Sequence, residues 1–390
     1  MAFKTLFTFF IISSIFLFAQ EEVDIAILGR ADNIPKESFN GADDKYFEGY
    51  IQALVDMHYY EYKVVVIVKD GNVWLANMPK NILLANSIVA FIKDVPGVKR
   101  VVEIDGVPPE EIVKREEYVN RPKVKGVWFP QTTSLFQPML ANPRQVIYSI
   151  GPRFGDRVAG RKAVEISLGD DFPFFRWLDV FKWHGDLQIG LESGIWSVFN
   201  MDPKPNIGGG TALFNTDYYV GIPIVYAVNK WAWRLRVYHI SSHLGDEFMV
   251  NHPGFKRLNP SFEAVDFYFS YQALDYLRFY GGPGVVVHSD PSFPMKNLYF
   301  EYGGEAKFLS KKIYYHKLYG TFFAGVYFRN WQLNNFNMDG TYILGYEWSK
   351  LQGVGRKIRI FGEYHHGFSP DGQFMKERTS YWSIRLAYGF

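Results

Sequence analysis

The final stretch of the chain, SYWSIRLAYGF (Ser380–Phe390), alternates without a break. Trp382, Ile384, Leu386, Tyr388 and Phe390 share one face of an extended strand, and Tyr381, Ser383, Arg385, Ala387 and Gly389 share the other. Successive side chains of a strand point to opposite faces, so one side is large and apolar while the other is small, polar or charged. A strand with lipid on one side and a polar interior on the other requires this pattern. Working upstream, similar segments fall near 146–154, 163–169, 185–197, 212–226, 231–241, 262–272, 276–288, 297–308, 316–329, 341–348 and 357–366, separated by Gly, Asn, Asp and Pro clusters. With the terminal segment these make about twelve, an even count that leaves both ends of a closed antiparallel barrel on one side of a membrane.

The expected fold is therefore mainly β, a 12-stranded antiparallel outer-membrane β-barrel over residues 145–390. A soluble β-sandwich also alternates, but its outer faces are polar, and Trp231, Trp233, Leu235 and Val237 place large apolar groups where no second sheet is evident. Composition agrees with the barrel: 18% of residues are aromatic, with 35 Gly, 35 Phe and 26 Tyr, which suits strands ending in interfacial aromatic girdles. The aromatic last residue, Phe390, looks like the terminal signal by which such barrels are recognised for assembly. A net charge of +2 with no basic stripe gives no footprint for nucleic acid as a partner.

At the other end, MAFKTLFTFFIISSIFLFAQ carries Lys4, an apolar run from Leu6 to Phe18 and the small Ala19, the form of a secretory signal peptide over residues 1–20. Leu17 is an imperfect residue for cleavage, so the alternative is an uncleaved anchor, for which the run is short. With no cysteine, the chain has neither a disulfide staple nor a lipid-bearing thiol.

Residues 40–106 follow a different period. Phe47, Tyr50, Ile51, Leu54 and Val55 recur at helical spacing. The β-branched run Val64–Val68 is followed by Asp70-Gly71, a hairpin signal, and by NVWLA as the returning strand. A second helix carries Ile82, Ala85, Ile88, Val89 and Ile92 and stops at Pro96-Gly97, and VKRVVEI gives a last strand. The order is αββαβ. With KDGNVWL before the second helix and VPGVKRVVEI after it, this region resembles the BON domain, a small module of exported bacterial proteins; the resemblance implies binding to a periplasmic or membrane-surface partner. An unrelated small αβ sandwich is the alternative. Residues 107–144 are rich in proline and read as a linker or as a segment entering the barrel.

The polar end of one barrel strand holds the candidate chemistry. In WAWRLRVYHIS, period two sets Trp231, Trp233, Leu235, Val237, His239 and Ser241 on the lipid face and Arg234 and Arg236 in a wet lumen, which Arg385 also lines. A histidine and a serine facing lipid are poor choices for stability, because each loses water without an assured partner. Imidazole and hydroxyl two residues apart on one face can activate a serine, provided that a third group orients the ring. In SFEAVDFYF on the next strand, Glu263 shares a face with Val265, Phe267 and Phe269 and is the candidate orienter, while Asp266 has the opposite parity.

This Tyr-x-His-x-Ser string is similar to the active sites of two outer-membrane hydrolase families, lipid A 3-O-deacylase and outer-membrane phospholipase A. The resemblance implies His239 as general base, Ser241 as nucleophile and Glu263 as acidic partner, cleaving an acyl ester of outer-membrane lipid. Two departures are the Ser242 that stands where those families usually have Asn, and a longer loop before Glu263; they leave the third member and the oxyanion donors open. LFQPMLANPR (Leu135–Arg144), YHISSHLGDEF (Tyr238–Phe248) and HGFSPDGQF (His366–Phe374) also resemble an uncharacterised family of exported bacterial proteins, domain of unknown function 1207, which brings no established activity.

The leading functional reading is non-enzymatic: an outer-membrane structural barrel or pore with a periplasmic module, in which Ser241, Ser242, His243 and Asp246 merely open a solvated loop. The alternative is the lipid acyl-ester hydrolase. Metal chemistry has thin support: His243, Asp246, Glu247 and His252 share a loop, and Asp246 and Glu247 are candidate calcium ligands, but their spacing matches no strong zinc or calcium pattern. His365 and His366 face opposite sides of their strand, and SPDGQF reads as a turn.

Overall fold

A computed structural model describes residues 44–59, 62–104, 125–130, 134–204, 206, 208–313, 318–349 and 355–390. The signal peptide expected over residues 1–20 and most of the proline-rich stretch lie outside the described residues.

The small N-terminal unit has the expected order: α1 (Asp44–Tyr59), β1 (Val65–Lys69), β2 (Asn72–Ala76), α2 (Ile82–Lys93) and β3 (Arg100–Glu103). β1 and β2 form an antiparallel hairpin whose turn residues Asp70 and Gly71 both have positive φ, as the Asp-Gly pair requires. β2 and β3 are parallel, joined by the α2 crossover. Phe47, Ile51 and Val55 of α1 and Leu84, Ile88 and Ile92 of α2 share one core with Val66, Val68, Val73 and Leu75 of the sheet.

Twelve strands then close into an antiparallel barrel: β5 (Tyr148–Asp156), β6 (Gly160–Val180), β7 (Gly185–Lys204), β8 (Gly210–Val228), β9 (Trp231–Leu244), β10 (Ser261–Leu274), β11 (Leu277–Ser289), β12 (Leu298–Ile313), β13 (Leu318–Trp331), β14 (Met338–Ser349), β15 (Lys357–Phe368) and β16 (Arg378–Gly389). Each strand pairs with the next, and β16 closes on β5 through Tyr388 opposite Tyr148 and Trp382 opposite Phe154. A short strand β4 (Gly126–Trp128) lies along the part of β6 that β5 does not reach. β6 runs far beyond the expected 163–169. Asp170, Asp171 and Pro173 interrupt its alternation in sequence, but a register irregularity between Pro173 and Phe175 absorbs the proline and the ladder continues.

The outside is apolar. Leu235, Val237, Phe267, Ile384 and Leu386 are exposed, and at the end where β5 starts and β16 finishes the rings of Phe181, Tyr226, Trp233, Trp231 and Tyr271 form a continuous girdle. Among the described residues, that end carries the tight β6–β7, β8–β9 and β10–β11 turns. The opposite end carries the long connections, including α3 (Asp246–Asn251). The described residues contain no helix long and apolar enough to cross a membrane. The N-terminal unit docks at the turn end: Ile82 and Lys80 exchange backbone hydrogen bonds with Asn229 in the β8–β9 turn (3.0 and 2.8 Å).

The expectation of an open wet lumen needs revising, because side chains and an inserted segment occupy most of the barrel and leave a cavity lined by Arg144, Tyr219, Arg236, Glu301 and Arg329. Residues 134–147, which take in the end of the stretch read as a linker or entering segment (107–144), run inside the barrel. Phe136, Met139, Leu140 and Ala141 belong to the same buried cluster as Trp196, Tyr238, Tyr268, Tyr299, Phe323 and Phe361 of the wall. The segment's backbone groups are met by wall side chains: Leu140 N–H donates to Glu305 (2.6 Å) and Arg278 donates to the carbonyls of Gln137 and Pro138. Proline-rich composition thus marks an irregular path whose polar backbone is satisfied by the barrel instead of water. Arg234, Arg236 and Arg385 point inward as expected, but into ion pairs with Glu192, Asp266 and Glu165.

Candidate active site

β9 builds the site by its alternation. Its inward set, Ala232, Arg234, Tyr238 and Ser242, is buried, whereas Trp231, Leu235 and Val237 are exposed and His239, Ser241 and His243 continue that outer face. The ten residue steps from Trp231 in the girdle to Ser241 span ~33 Å of strand, or about 25 Å of height at a tilt of about 40°. That equals the height of a lipid-facing band, so Ser241 sits at its upper edge, where acyl chains meet headgroups.

β10 brings the carboxylate. His239 pairs with Glu263 across the β9–β10 ladder, and His239 Nδ1 lies 2.7 Å from Glu263 Oε1. A carboxylate only accepts, so the imidazole donates from Nδ1. The second oxygen, Oε2, accepts from Nδ1 of His288 on β11 at 2.6 Å. All three side chains are partly exposed on the outer face, His288 most, at 70%. Ser241 stands on the same face two residues beyond His239, opposite Tyr218 of β8 and Ser261 of β10. Among the described residues its hydroxyl has no hydrogen-bond partner. Asp266, of the other parity, is inside and paired with Arg236.

The wall behind Ser241 is braced from within. Ser242 points inward and donates to Asn215 (2.9 Å), and Gln373 Nε2 donates to the Ser242 carbonyl (3.1 Å). Gln373 belongs to the loop 369–377, which folds into the barrel mouth instead of forming the simple turn expected of SPDGQF. Gly372 packs so closely there that a Cβ would lie 2.6 Å from that of Ser242. Arg144 of the inserted segment bonds Asp217, Asp371 and the Pro370 carbonyl, tying the segment to this loop. The stretches at 135–144, 238–248 and 366–374 therefore converge behind one patch of wall.

Above the site, Asn259, Ser261, Asp290 and Ser292 lace the β10 and β11 ends together. Hydrogen bonds from Ser292 and Asn259 hold the Asp290 carboxyl below its ordinary range. The candidate metal ligands do not join the site: Asp246 and Glu247 are exposed on the first turn of α3, and His252 bonds the Phe248 carbonyl (2.8 Å). Among the described residues no group of three or more His, Cys, Asp or Glu side chains is arranged to hold a metal. His365 is buried against Thr341 (2.9 Å) and His366 faces out.

His288 is the site residue that sequence parity misses. Counting by twos from Phe279 assigns it to the lumen, and nothing in VVVHS marks where the count breaks.

No curated protein matches the chain. Among solved structures, outer membrane phospholipase A from Escherichia coli is 12% identical with a TM-score of 0.43, covering 63% of this chain and 92% of that one. The NanC porin is 11% identical, at a TM-score of 0.32 and coverages of 62% and 98%. The β domain of the Bordetella autotransporter BrkA is 11% identical, at 0.33, 62% and 97%. A family of proteins of unknown function, DUF1207, matches residues 59–390. The chain belongs to the DUF1207 family, and its body is an outer-membrane-type β-barrel.

Proposed function

We propose that the protein is an outer-membrane enzyme that hydrolyses acyl esters of membrane lipid at Ser241, on the lipid-facing surface of the barrel. The observation that carries this reading is the 2.7 Å contact of His239 Nδ1 with Glu263, two residues from Ser241, at the upper edge of the apolar band. Barrels carry their longer loops outside the cell, which supports a reading with this edge outward and the N-terminal unit on the periplasmic side. Substrate and site then share the outer leaflet, where an acyl ester reaches Ser241 without leaving the bilayer.

In the reaction, Ser241 Oγ attacks the ester carbonyl while its proton passes to His239 Nε2, a contact that closes as substrate seats. The bond from the carbonyl carbon to the alcohol oxygen breaks, and His239 returns the proton to that oxygen. Water, deprotonated by the same imidazole, attacks the acyl-serine, releases fatty acid and restores Ser241. Glu263 keeps Nδ1–H donating and faces the positive charge of the imidazolium.

The filled lumen supports a barrel that does not conduct, and a structural role is the reading left if hydrolysis fails. The test is fatty-acid release by the refolded full chain in mixed micelles of phospholipid or lipid A, beside Ser241→Ala, His239→Ala and Glu263→Gln. Release by the wild type, lost in the first two variants with the barrel intact, upholds the enzyme, and the lipid consumed defines it. No release from either lipid, with or without calcium, refutes it.

A further inference from the structure

The backbone is bent to bring His288 to the site. Along β11, Phe279, Val285 and Val287 face outward while Tyr280 and Val286 are buried. His288 should follow the buried set into the lumen. The β10–β11 register instead steps from Ala264 opposite Val286 to Glu263 opposite His288, so Val287 is an extra residue in the ladder. Such a bulge gives up local pairing and turns the side chains beyond it to the other face. Here it turns an imidazole out of a packed interior and onto Glu263 Oε2.

We propose that His288 is a positioning residue for Glu263, an inference that rests on Ser241, His239 and Glu263 acting as a triad. A glutamate has three side-chain torsions, and on an exposed strand face a single hydrogen bond does not hold its carboxylate in one orientation. With Oε2 fixed by His288, Oε1 stays on His239 Nδ1. The His239 ring then keeps the tautomer whose Nε2 accepts the serine proton. His288 touches no reacting atom, and its effect passes through Glu263.

The test uses the refolded full chain in mixed micelles with His288→Ala, His288→Asn and a deletion of Val287. Asparagine carries an amide N–H near the place of Nδ1 and can still donate to Glu263. His288→Ala and the deletion should each lower kcat roughly tenfold with little change in KM, and His288→Asn should recover most of the loss. Imidazole nitrogen NMR should show His239 as the Nδ1–H tautomer in the wild type and as a mixture in His288→Ala. A wild-type kcat in His288→Ala overturns the proposal. If the wild type itself hydrolyses nothing, the triad has failed and the tautomer decides alone: a mixture in His288→Ala upholds the clamp on Glu263, and an unchanged Nδ1–H tautomer overturns it.

Discussion

The two faces of β9 carry polar groups for different reasons. Inside, Arg234 and Arg236 lie against Glu192, Asp266, Tyr238 and Tyr268, and Ser242 bonds Asn215; these groups are enclosed and tied to neighbours on several strands. Outside, among the described residues, His239 bonds Glu263 alone and the Ser241 hydroxyl has no partner. A buried charge must be paired for the fold to exist. Nothing about folding asks for histidine, glutamate and serine on a surface where Leu235 and Val237 already meet lipid. Removing an inner group should therefore break the barrel, and removing an outer one should break only the chemistry.

Four measurements put that contrast at risk. Ser241→Ala should cut fatty-acid release by about 10⁴-fold, to background, with the heat-modifiable gel mobility of a folded barrel retained. Arg153→Ala, on the inner face, should instead cost about 3–5 kcal/mol in urea unfolding, because Glu165 and Asp371 each lose a 2.9 Å charge-assisted bond in a fully enclosed site and are left with one arginine apiece, Arg385 and Arg144. Leu235→Arg, midway up the outer face, should cost about 2–4 kcal/mol in lipid bilayers, showing that this face meets hydrocarbon. Smallest, Ser241→Val should leave the barrel unchanged or more stable by roughly 1 kcal/mol while abolishing release, since it replaces an unpartnered hydroxyl with methyl groups. Unfolding of the barrel by Ser241→Val would erase the contrast.

Much of this was legible from alternation. Trp231 to Ser241 and Trp382 to Phe390 assign their faces by parity, and the strand count follows from the polar breaks between such runs. The same parity singles out Glu263 over Asp266 as the partner of His239, and the β9–β10 register agrees. Features that depend on neighbours in space were not legible. Residues 107–144 read equally as a linker or as a segment entering the barrel, because nothing local says that Arg278 and Glu305 will satisfy the backbone at 137–140. The arginines signal an interior but not how full it is. His288 was hidden by one extra residue among three valines, a choice made by pairing with β10 and not by β11 itself.

The inserted segment also constrains the order of events in the protein's assembly. It immediately precedes β5, whose seam with β16 joins positions as far apart as Tyr148 and Tyr388. Bringing such distant ends together carries the largest loop-closure entropy in the barrel and is the natural last step. By then residues 134–147 must already lie between the forming walls, because a shut cylinder with Phe136 under Arg234 and Arg144 held by Asp371 leaves no route for threading. The chain has to wrap itself around its own leading segment, which serves as a mandrel for the wall before it becomes the filling.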